Sequence, residues 1–261
     1  MLAAYKIDGT GINCWVNTQC FNDKKRSLLF IHGAGVDHTI WINQYEPMKD
    51  GYNIAAVDLP GHGRSEGKGE VDVFLYTAWV RKIIDRLGMN KPVVIGHSLG
   101  AAIGLVFAVK YGGALSAVVS VGGGVRMPVN EMILAGLKTD PAAVMGLVAK
   151  LCVSKKSRGS LSDAMSGVFA RMKPDILHGD FLACDHLDVT HEITRITAPT
   201  LVICGADDKM TPPAMSHFLA DNIEGAKLAL IAGAGHMVML EEPEAFNEVL
   251  EAFLESLPYV N

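Results

Sequence analysis

Ser98 lies between two glycines in the sequence Gly-His-Ser-Leu-Gly at residues 96–100. The motif follows a short apolar run at residues 92–95 and opens a longer apolar segment that begins at Leu99. A serine on a sharp turn from strand to helix has strained backbone geometry, which projects its hydroxyl out of the sheet. The flanking glycines give room for such a turn and for close helix packing. The pattern therefore predicts a nucleophilic serine.

A serine hydroxyl is a poor nucleophile at neutral pH, so it needs a general base that a carboxylate orients. His236 is the candidate base, because it ends the sequence Gly-Ala-Gly-His just after the last apolar run of the chain. A loop there would reach over the serine from the carboxyl edge of the sheet. Two acid candidates, Asp207 and Asp208, follow the preceding apolar run at residues 200–204, and both stay open on the residues alone.

A fourth element could stabilise the negative charge that develops on a carbonyl oxygen under attack. Two fixed backbone N–H groups should meet that oxygen. The residue after the serine, Leu99, would supply one, and Ala34 in the sequence His-Gly-Ala-Gly at residues 32–35 would supply the other. The alternative for residues 32–35 is an ordinary glycine-rich turn.

Short apolar runs alternate with segments of helical periodicity along the chain, which predicts a mostly parallel sheet covered by helices. Three helices are expected, at residues 74–87, Leu99–Tyr111 and 243–257. The expected strands are residues 12–16, Ser27–Ile31, residues 52–57, 92–95, 115–121 and 200–204, and Lys227–Ile231.

Residues 128–195 break this alternation, because they show helical patterns without a convincing strand. A long segment of this kind between two strands needs a role of its own. We therefore expect a core of residues 1–127 and 196–261, with residues 128–195 as an inserted helical cap. The alternative is a set of helices that simply cover the sheet.

The composition limits the possible partners and compartments. The 261 residues carry 23 Lys and Arg against 28 Asp and Glu, a net charge of −5, which argues against nucleic-acid binding. Five cysteines without metal-binding spacing indicate free thiols in a reducing compartment. The N-terminus shows no signal-peptide pattern, and the most apolar stretch, residues 93–109, is interrupted at residues 96–98. We expect a soluble, cytoplasmic monomer or homodimer that binds neither nucleic acid nor membrane.

Together these residues resemble the α/β-hydrolase fold superfamily. The resemblance implies a mostly parallel, eight-stranded sheet with helices on both faces and a helical cap. The family's acid stands three residues after a strand-end glycine and four before a proline, which points to Asp208 between Gly205 and Pro212. The order serine, acid, histidine is also that of the family, and its oxyanion donors map to Ala34 and Leu99. The motifs are residues 32–35, 58–65, 96–100, 205–212 and 235–236.

Within the superfamily, the sequence looks like small bacterial carboxylesterases, enol-lactonases and cofactor-free perhydrolases, which resemble it also at Trp41. Haloalkane dehalogenases and epoxide hydrolases place an aspartate where Ser98 stands, so they are excluded. Carbon–carbon bond hydrolases often carry asparagine before the serine, and His97 weighs against them.

The resemblance implies a serine esterase that cleaves a small carboxylic ester through an acyl-enzyme, with no metal or cofactor. Methionine-containing helices in the cap suggest a substrate with an apolar portion. Asp185 and Asp188 could add polar specificity, although solvated or capping roles are favoured for them. Hydrolysis of a carbon–carbon bond, a lactone or a thioester on the same triad remains an alternative, as does a hydrolase-like ligand receptor with slow turnover.

Overall fold

The structure is a computed structural model that describes residues 1–258. These residues form one eight-stranded sheet in the order β1-β2-β4-β3-β5-β6-β7-β8. Strand β2 pairs antiparallel with β1 and β4, and all other neighbours pair parallel. The strands are β1 Leu2–Ile7, β2 Thr10–Val16, β3 Ser27–Ile31, β4 Asn53–Val57, β5 Val93–His97, β6 Ala117–Val121, β7 Thr200–Gly205 and β8 Lys227–Ile231.

The predicted mostly parallel sheet of eight strands is confirmed. Strands β3 and β8 have the predicted bounds, and the other five runs differ by no more than two residues at either end. Strand β1 was not among the runs identified as strands. It lies at the edge of the sheet, where only Ile7 of its six residues is buried, so its sequence lacks the continuous apolar run of a central strand.

Helices cover both faces of the sheet, and the three predicted ones are confirmed to within one residue. Residues at the ends of α2 explain why its bounds could be predicted. Asp72 accepts a hydrogen bond from the N–H of Phe74 at the start, and Gly88 ends the helix in the left-handed conformation. The helices are α1 Ile42–Met48, α2 Val73–Leu87, α3 Leu99–Tyr111, α4 Glu131–Thr139, α5 Pro141–Leu151, α6 Arg158–Phe169, α7 Pro174–Asp185, α8 Pro213–Asn222, α9 Val238–Glu241 and α10 Pro243–Ser256.

The sheet separates two apolar cores, because successive side chains of a strand point to opposite faces. In β3, Leu29 and Ile31 pack in the core that contains buried residues of α2 and α3. Leu28 and Phe30 pack in the opposite core, which also contains Trp41. A fully buried central sheet of this kind gives the loops at its carboxyl edge a rigid base.

Residues 128–195 contain helices α4 to α7 and, within this fully described segment, no strand. Buried side chains from it, including Val148, Phe169 and Phe181, belong to the same apolar core as Phe30 of the sheet. We call residues 128–195 the insertion. Its division from a core of residues 1–127 and 196–261 as a separate cap stays a prediction.

None of the helices within residues 1–258 has the length and apolar character needed to cross a lipid bilayer.

Candidate active site

Ser98 occupies a sharp turn between β5 and α3, as its sequence motif predicts. Its backbone has φ 54° and ψ −114°, a region that residues with a Cβ seldom adopt. The flanking glycines are required by close backbone contacts: a Cβ at Gly96 would lie 2.0 Å from the Gly100 oxygen, and one at Gly100 would lie 2.4 Å from the Ile31 oxygen. The turn thus holds a serine in a conformation that the surrounding backbone fixes.

His236 and Asp208 form a buried pair in the loops after β8 and β7. Nδ1 of His236 lies 2.8 Å from Oδ2 of Asp208, and the two residues are only 3% and 4% exposed. Asp207 is exposed, and its N–H donates to the Ala234 carbonyl. Of the two adjacent aspartates, the structure therefore brings Asp208 to the histidine, and Asp207 stabilises the loop through its backbone.

Thr211 completes this pair, although the sequence analysis did not select it. Its hydroxyl donates to Oδ2 of Asp208 at 2.8 Å or to the Gly122 carbonyl at 2.9 Å, and lies 3.1 Å from Nδ1 of His236. The backbone N–H groups of Met210 and Thr211 donate to Oδ1 of Asp208. Burial alone would raise the pKa of Asp208, but His236 and these hydrogen bonds outweigh it and lower the pKa below its usual value. The carboxylate is therefore charged at neutral pH.

His97, the residue before the serine, contacts His236. Its Nε2–H donates to the His236 carbonyl at 2.9 Å, and the two ring centroids are 4.6 Å apart. Burial, together with the neighbouring His236, holds the pKa of His97 well below its usual value, so the ring is neutral. The sequence motif does not reveal this role of His97, because its contact with His236 spans 139 residues of chain.

The two predicted oxyanion donors lie beside the serine. A Cβ at Gly33 would be 3.1 Å from Cβ of Ser98, so the backbone of residues 32–35 passes directly alongside it. Ala34 lines the same cavity as Ser98 and His236. Leu99 is the first residue of α3, and the N–H groups of a first helical turn have no carbonyl partner within the helix. The N–H of Gly35 is already bonded to Asp180 of α7.

The cavity at Ser98 is small and mostly apolar. It holds about 20 Å³, roughly the space for one water molecule. No Lys, Arg, Asp or Glu stands among the described residues that line it. Cavities of about 270 and 650 Å³ have linings that include neither Ser98 nor His236, although the larger one shares Val36 with the cavity at Ser98. The residues that line the small cavity are Ala34, Val36, His97, Ser98, Val148, Cys152, Phe169, Phe181, Met210, His236 and Met237.

Two aspartates of the insertion that sequence analysis considered for specificity lie outside this lining. Asp185 accepts a hydrogen bond from the N–H of Val129 at 2.9 Å, and Asp188 accepts from the N–H and hydroxyl of Thr190. These contacts agree with the capping roles that were favoured for them.

One group of possible metal ligands occurs among residues 1–258: Asp37, His38 and Asp58, whose ligand atoms lie within 4.8 Å of one another. Oδ1 of Asp58 accepts from the backbone N–H and Nδ1 of His38, and its Oδ2 accepts from the N–H of Arg64. Hydrogen bonds to each other and to Arg64 therefore account for the positions of His38 and Asp58.

Comparison with known proteins places this geometry in a family. Residues 28–249 match the model of the Alpha/beta hydrolase family. The chain is 26% identical, over 88% of its length and 87% of the relative's, to a 2-hydroxy-6-oxononadienedioate/2-hydroxy-6-oxononatrienedioate hydrolase of Paraburkholderia phymatum. It is 24% identical to a pimeloyl-[acyl-carrier protein] methyl ester esterase of Neisseria meningitidis, over 90% of this chain and 78% of the relative.

Solved structures agree with this assignment. A thermophilic esterase superposes with a TM-score of 0.83 at 33% identity, over 98% of this chain and 97% of the other. The enol-lactonase of Burkholderia xenovorans has the same fold, with a TM-score of 0.90 at 20% identity over 97% of this chain and all of the other. Since the family model spans most of the sequence, the chain belongs to the alpha/beta hydrolase family, a family of hydrolytic enzymes.

Proposed function

We propose that this protein is a serine hydrolase that cleaves a small carboxylic ester through an acyl-enzyme. The observation that carries the proposal is the buried His236–Asp208 pair, with His236 lining one cavity together with Ser98 on its strained turn. A histidine held by a charged carboxylate is the arrangement that a weak serine nucleophile requires. The similarity to a thermophilic esterase agrees with ester chemistry.

In the proposed reaction, Oγ of Ser98 attacks the ester carbonyl while His236 takes the hydroxyl proton. The carbonyl electron pair moves to its oxygen, and the backbone N–H groups of Ala34 and Leu99 stabilise the resulting oxyanion. His236 then gives the proton to the leaving alcohol as the ester C–O bond breaks. Water repeats the sequence on the acyl-enzyme and releases the acid. Asp208 holds the tautomer of His236 and stabilises its protonated form throughout.

The cavity lining supports a short, uncharged acyl group. Side chains from three helices of the insertion close the cavity over Ser98: Val148 of α5, Phe169 of α6 and Phe181 of α7. We propose that residues 128–195 act as a cap whose apolar helices select the substrate. Because the space is about that of one water molecule, these side chains must move to admit even a small acyl group.

An anionic substrate fits this lining poorly. One relative is named for a dioate, a substrate with two carboxylates. A buried charge needs a partner of opposite sign, and no Lys or Arg stands among the described residues that line the cavity. We therefore favour a neutral ester over a dicarboxylate, and a lactone shares the neutral character.

Turnover of p-nitrophenyl esters from acetate to decanoate tests the proposal, with each ester repeated on Ser98→Ala. We expect turnover that falls as the acyl chain lengthens and that disappears in the variant, because a catalytic serine contributes on the order of a million-fold to kcat in a well-studied protease. A matched control is Ser116→Ala, a substitution at the foot of β6 and away from the cavity.

Parallel assays with a lactone, a thioester and a vinylogous diketone separate the alternatives. Activity on the diketone without activity on the esters would replace ester hydrolysis by carbon–carbon cleavage. Folded protein that turns over none of these substrates would contradict the enzyme hypothesis and favour a ligand receptor.

A further inference from the structure

Asp180 is a fully buried carboxylate on helix α7 that belongs to no part of the proposed triad. Its Oδ1 accepts the hydroxyl of Tyr76 at 2.6 Å. Its Oδ2 accepts Nε2–H of His62 at 2.7 Å and the backbone N–H of Gly35 at 3.0 Å. One side chain of the insertion thus joins α2, the turn at His62 and the loop of residues 32–35.

The charge of Asp180 is matched by a partner. A buried carboxylate is costly unless it is paired and hydrogen-bonded. Burial would lower the pKa of His62, but Asp180, with smaller contributions from the Pro60 carbonyl and Asp58, outweighs burial and raises it. His62 also contacts the Pro60 carbonyl through Nδ1 at 3.1 Å, so both ring nitrogens have acceptors. The network is satisfied as an ion pair, which fixes the position of the carboxylate.

The loop of residues 32–35 is also fitted tightly to the insertion by shape. Gly35 has φ +69°, and a Cβ there would lie 2.6 Å from Cδ1 of Leu177 and 2.8 Å from Cε1 of Phe169. Both neighbours belong to the insertion, and Leu177 is on the same helix as Asp180. The loop is therefore packed closely against both α6 and α7.

Ala34 stands between the two contacts that fix this loop. On one side, the backbone at Gly33 passes Ser98. On the other, the N–H of Gly35 is directed at Asp180. The Ala34 N–H lies in the peptide plane shared with Gly33, and this plane is joined at the Ala34 Cα to the plane that carries the Gly35 N–H, so both contacts limit its direction. Oxyanion stabilisation requires a donor fixed at about 3 Å from the oxygen.

We propose that Asp180 is a positioning residue, which holds the oxyanion loop through Gly35 and thereby makes the insertion part of the machinery for charge stabilisation. This inference rests on the proposed ester hydrolysis. It assigns the insertion a role in the chemical step besides substrate selection. When α7 docks on the sheet, Asp180 binds Gly35 and the Ala34 N–H takes its correct position.

The test compares Asp180→Ala, Asp180→Asn and Asp185→Asn on p-nitrophenyl butyrate. Asp185 is the matched control, because it lies on the same helix and also accepts a backbone N–H at 2.9 Å, from Val129. We expect Asp180→Ala to lower kcat by about 10- to 100-fold with little change in KM, since small displacements of catalytic groups have effects up to this size. Asp180→Asn keeps an oxygen for Gly35 but loses the ion pair with His62 that fixes it, so it should lower kcat by a smaller factor, about three- to tenfold. Asp185→Asn should match the wild type.

A second readout separates positioning from stability. A trifluoromethyl ketone provides this readout, because Oγ of Ser98 would add to its carbonyl carbon while the hydroxyl proton passes to His236. The adduct would carry an oxyanion beside the N–H groups of Ala34 and Leu99. The affinity of the ketone should fall in parallel with kcat across the Asp180 variants, whereas KM should not. If Asp180→Ala does not fold, Asp180→Asn decides alone: a fall in inhibitor affinity of about threefold or more supports the proposal, and an unchanged affinity overturns it.

Failure of this inference is distinct from failure of the proposed function. Ester turnover that depends on Ser98 but is the same in folded Asp180→Ala would overturn only the role of Asp180. Ester turnover that survives Ser98→Ala would overturn both.

Discussion

The two halves of the candidate site are held in different ways. In the His236–Asp208 half, Asp208 is held by bonds from Met210 and Thr211 of its own loop, and His236 is held by Asp208 and by His97 at the end of β5. The oxyanion half is held by Asp180, which is 145 residues from Gly35 along the chain.

The two halves therefore depend on different parts of the chain in order to form. Hydrogen bonds within the turn of Asp208 and Thr211 form when the strand ends and loops of the sheet are in place, whereas the histidine loop also meets the insertion, where the N–H of Met237 donates to the Cys152 carbonyl. The loop of residues 32–35 needs α7 docked against it. Changes in α7 should therefore alter charge stabilisation in the reaction and leave the acid–base pair intact, and substitutions on either side test this separation.

The largest expected effect is on the acid–base half. Asp208→Asn should lower kcat by about 10,000-fold, the size seen when the corresponding aspartate of a serine protease is changed, because the histidine loses its correct tautomer. Asp207→Asn, the adjacent and exposed residue, should leave kcat almost unchanged. Ester turnover and thermal unfolding of both variants provide the check. Similar losses in the two variants would contradict the assignment of Asp208.

The sequence predicts this half well, because the information is local. Ser98, Asp208 and His236 each follow a run of apolar residues that becomes a parallel strand, and the carboxyl ends of such strands meet at one edge of the sheet. Their motifs also have family spacing. The role of Thr211 could also have been predicted from the sequence, because a threonine three residues after an aspartate can bond that carboxylate in a turn.

The supporting residues of the oxyanion half could not be derived in the same way. Asp180 stands in a helical segment between apolar neighbours such as Leu177 and Phe181, which could have marked it as a buried polar residue in need of partners. Its partners Gly35 and Tyr76 are 145 and 104 residues away. Only the tertiary packing of the insertion on the sheet brings them together.

Glu241 should have the next largest effect, on stability. Its carboxylate accepts the N–H of Gly235 at 2.9 Å and the N–H of Ser154 at 2.8 Å, which connects the histidine loop to the insertion. Glu241→Ala leaves both partly buried donors without this acceptor and should lower the free energy of unfolding by about 2 kcal/mol. The matched control is Glu242→Ala, which removes only an exposed pair with Lys156 and should cost less than about 1 kcal/mol. Urea denaturation measures both, and equal losses would argue against this connection.

Thr211→Val should have a smaller effect, on activity. It removes the hydroxyl that bonds Asp208 and lies beside His236, and one such hydrogen bond is worth about 1 kcal/mol, or about fivefold in kcat. Thr190→Val is the control, because its hydroxyl bonds Asp188 at 2.7 Å in a turn away from the cavity. A kcat for Thr211→Val that equals the wild-type value would show that the acid–base pair does not need its local support.

The smallest expected effect is the pH dependence of stability that arises at the oxyanion half. The pKa of His62 is raised in the folded protein, so its ion pair stabilises the fold fully below the ordinary histidine pKa of 6.5 and loses this contribution as pH rises through the folded value. Tyr76 and His32 also face His62, but both are neutral, with the pKa of Tyr76 raised by burial and that of His32 lowered to about 4, chiefly by burial. Asp58 adds a fixed negative charge, because its pKa is lowered.

Removal of the partner should reverse the sign of this dependence. In Asp180→Asn, burial without the carboxylate lowers the pKa of His62, so the variant should lose stability as pH falls below 6.5. The difference in the free energy of unfolding between wild type and variant should therefore be largest at pH 5.5 and shrink toward pH 9. Its slope cannot exceed about 1.4 kcal/mol per pH unit for one proton. Urea denaturation across this range measures the difference, and because Asp208 and Asp58 are present in both proteins, their titration largely cancels. A difference that stays flat or grows with pH would mean that the His62–Asp180 pair is not the charged link that holds the oxyanion loop to the insertion.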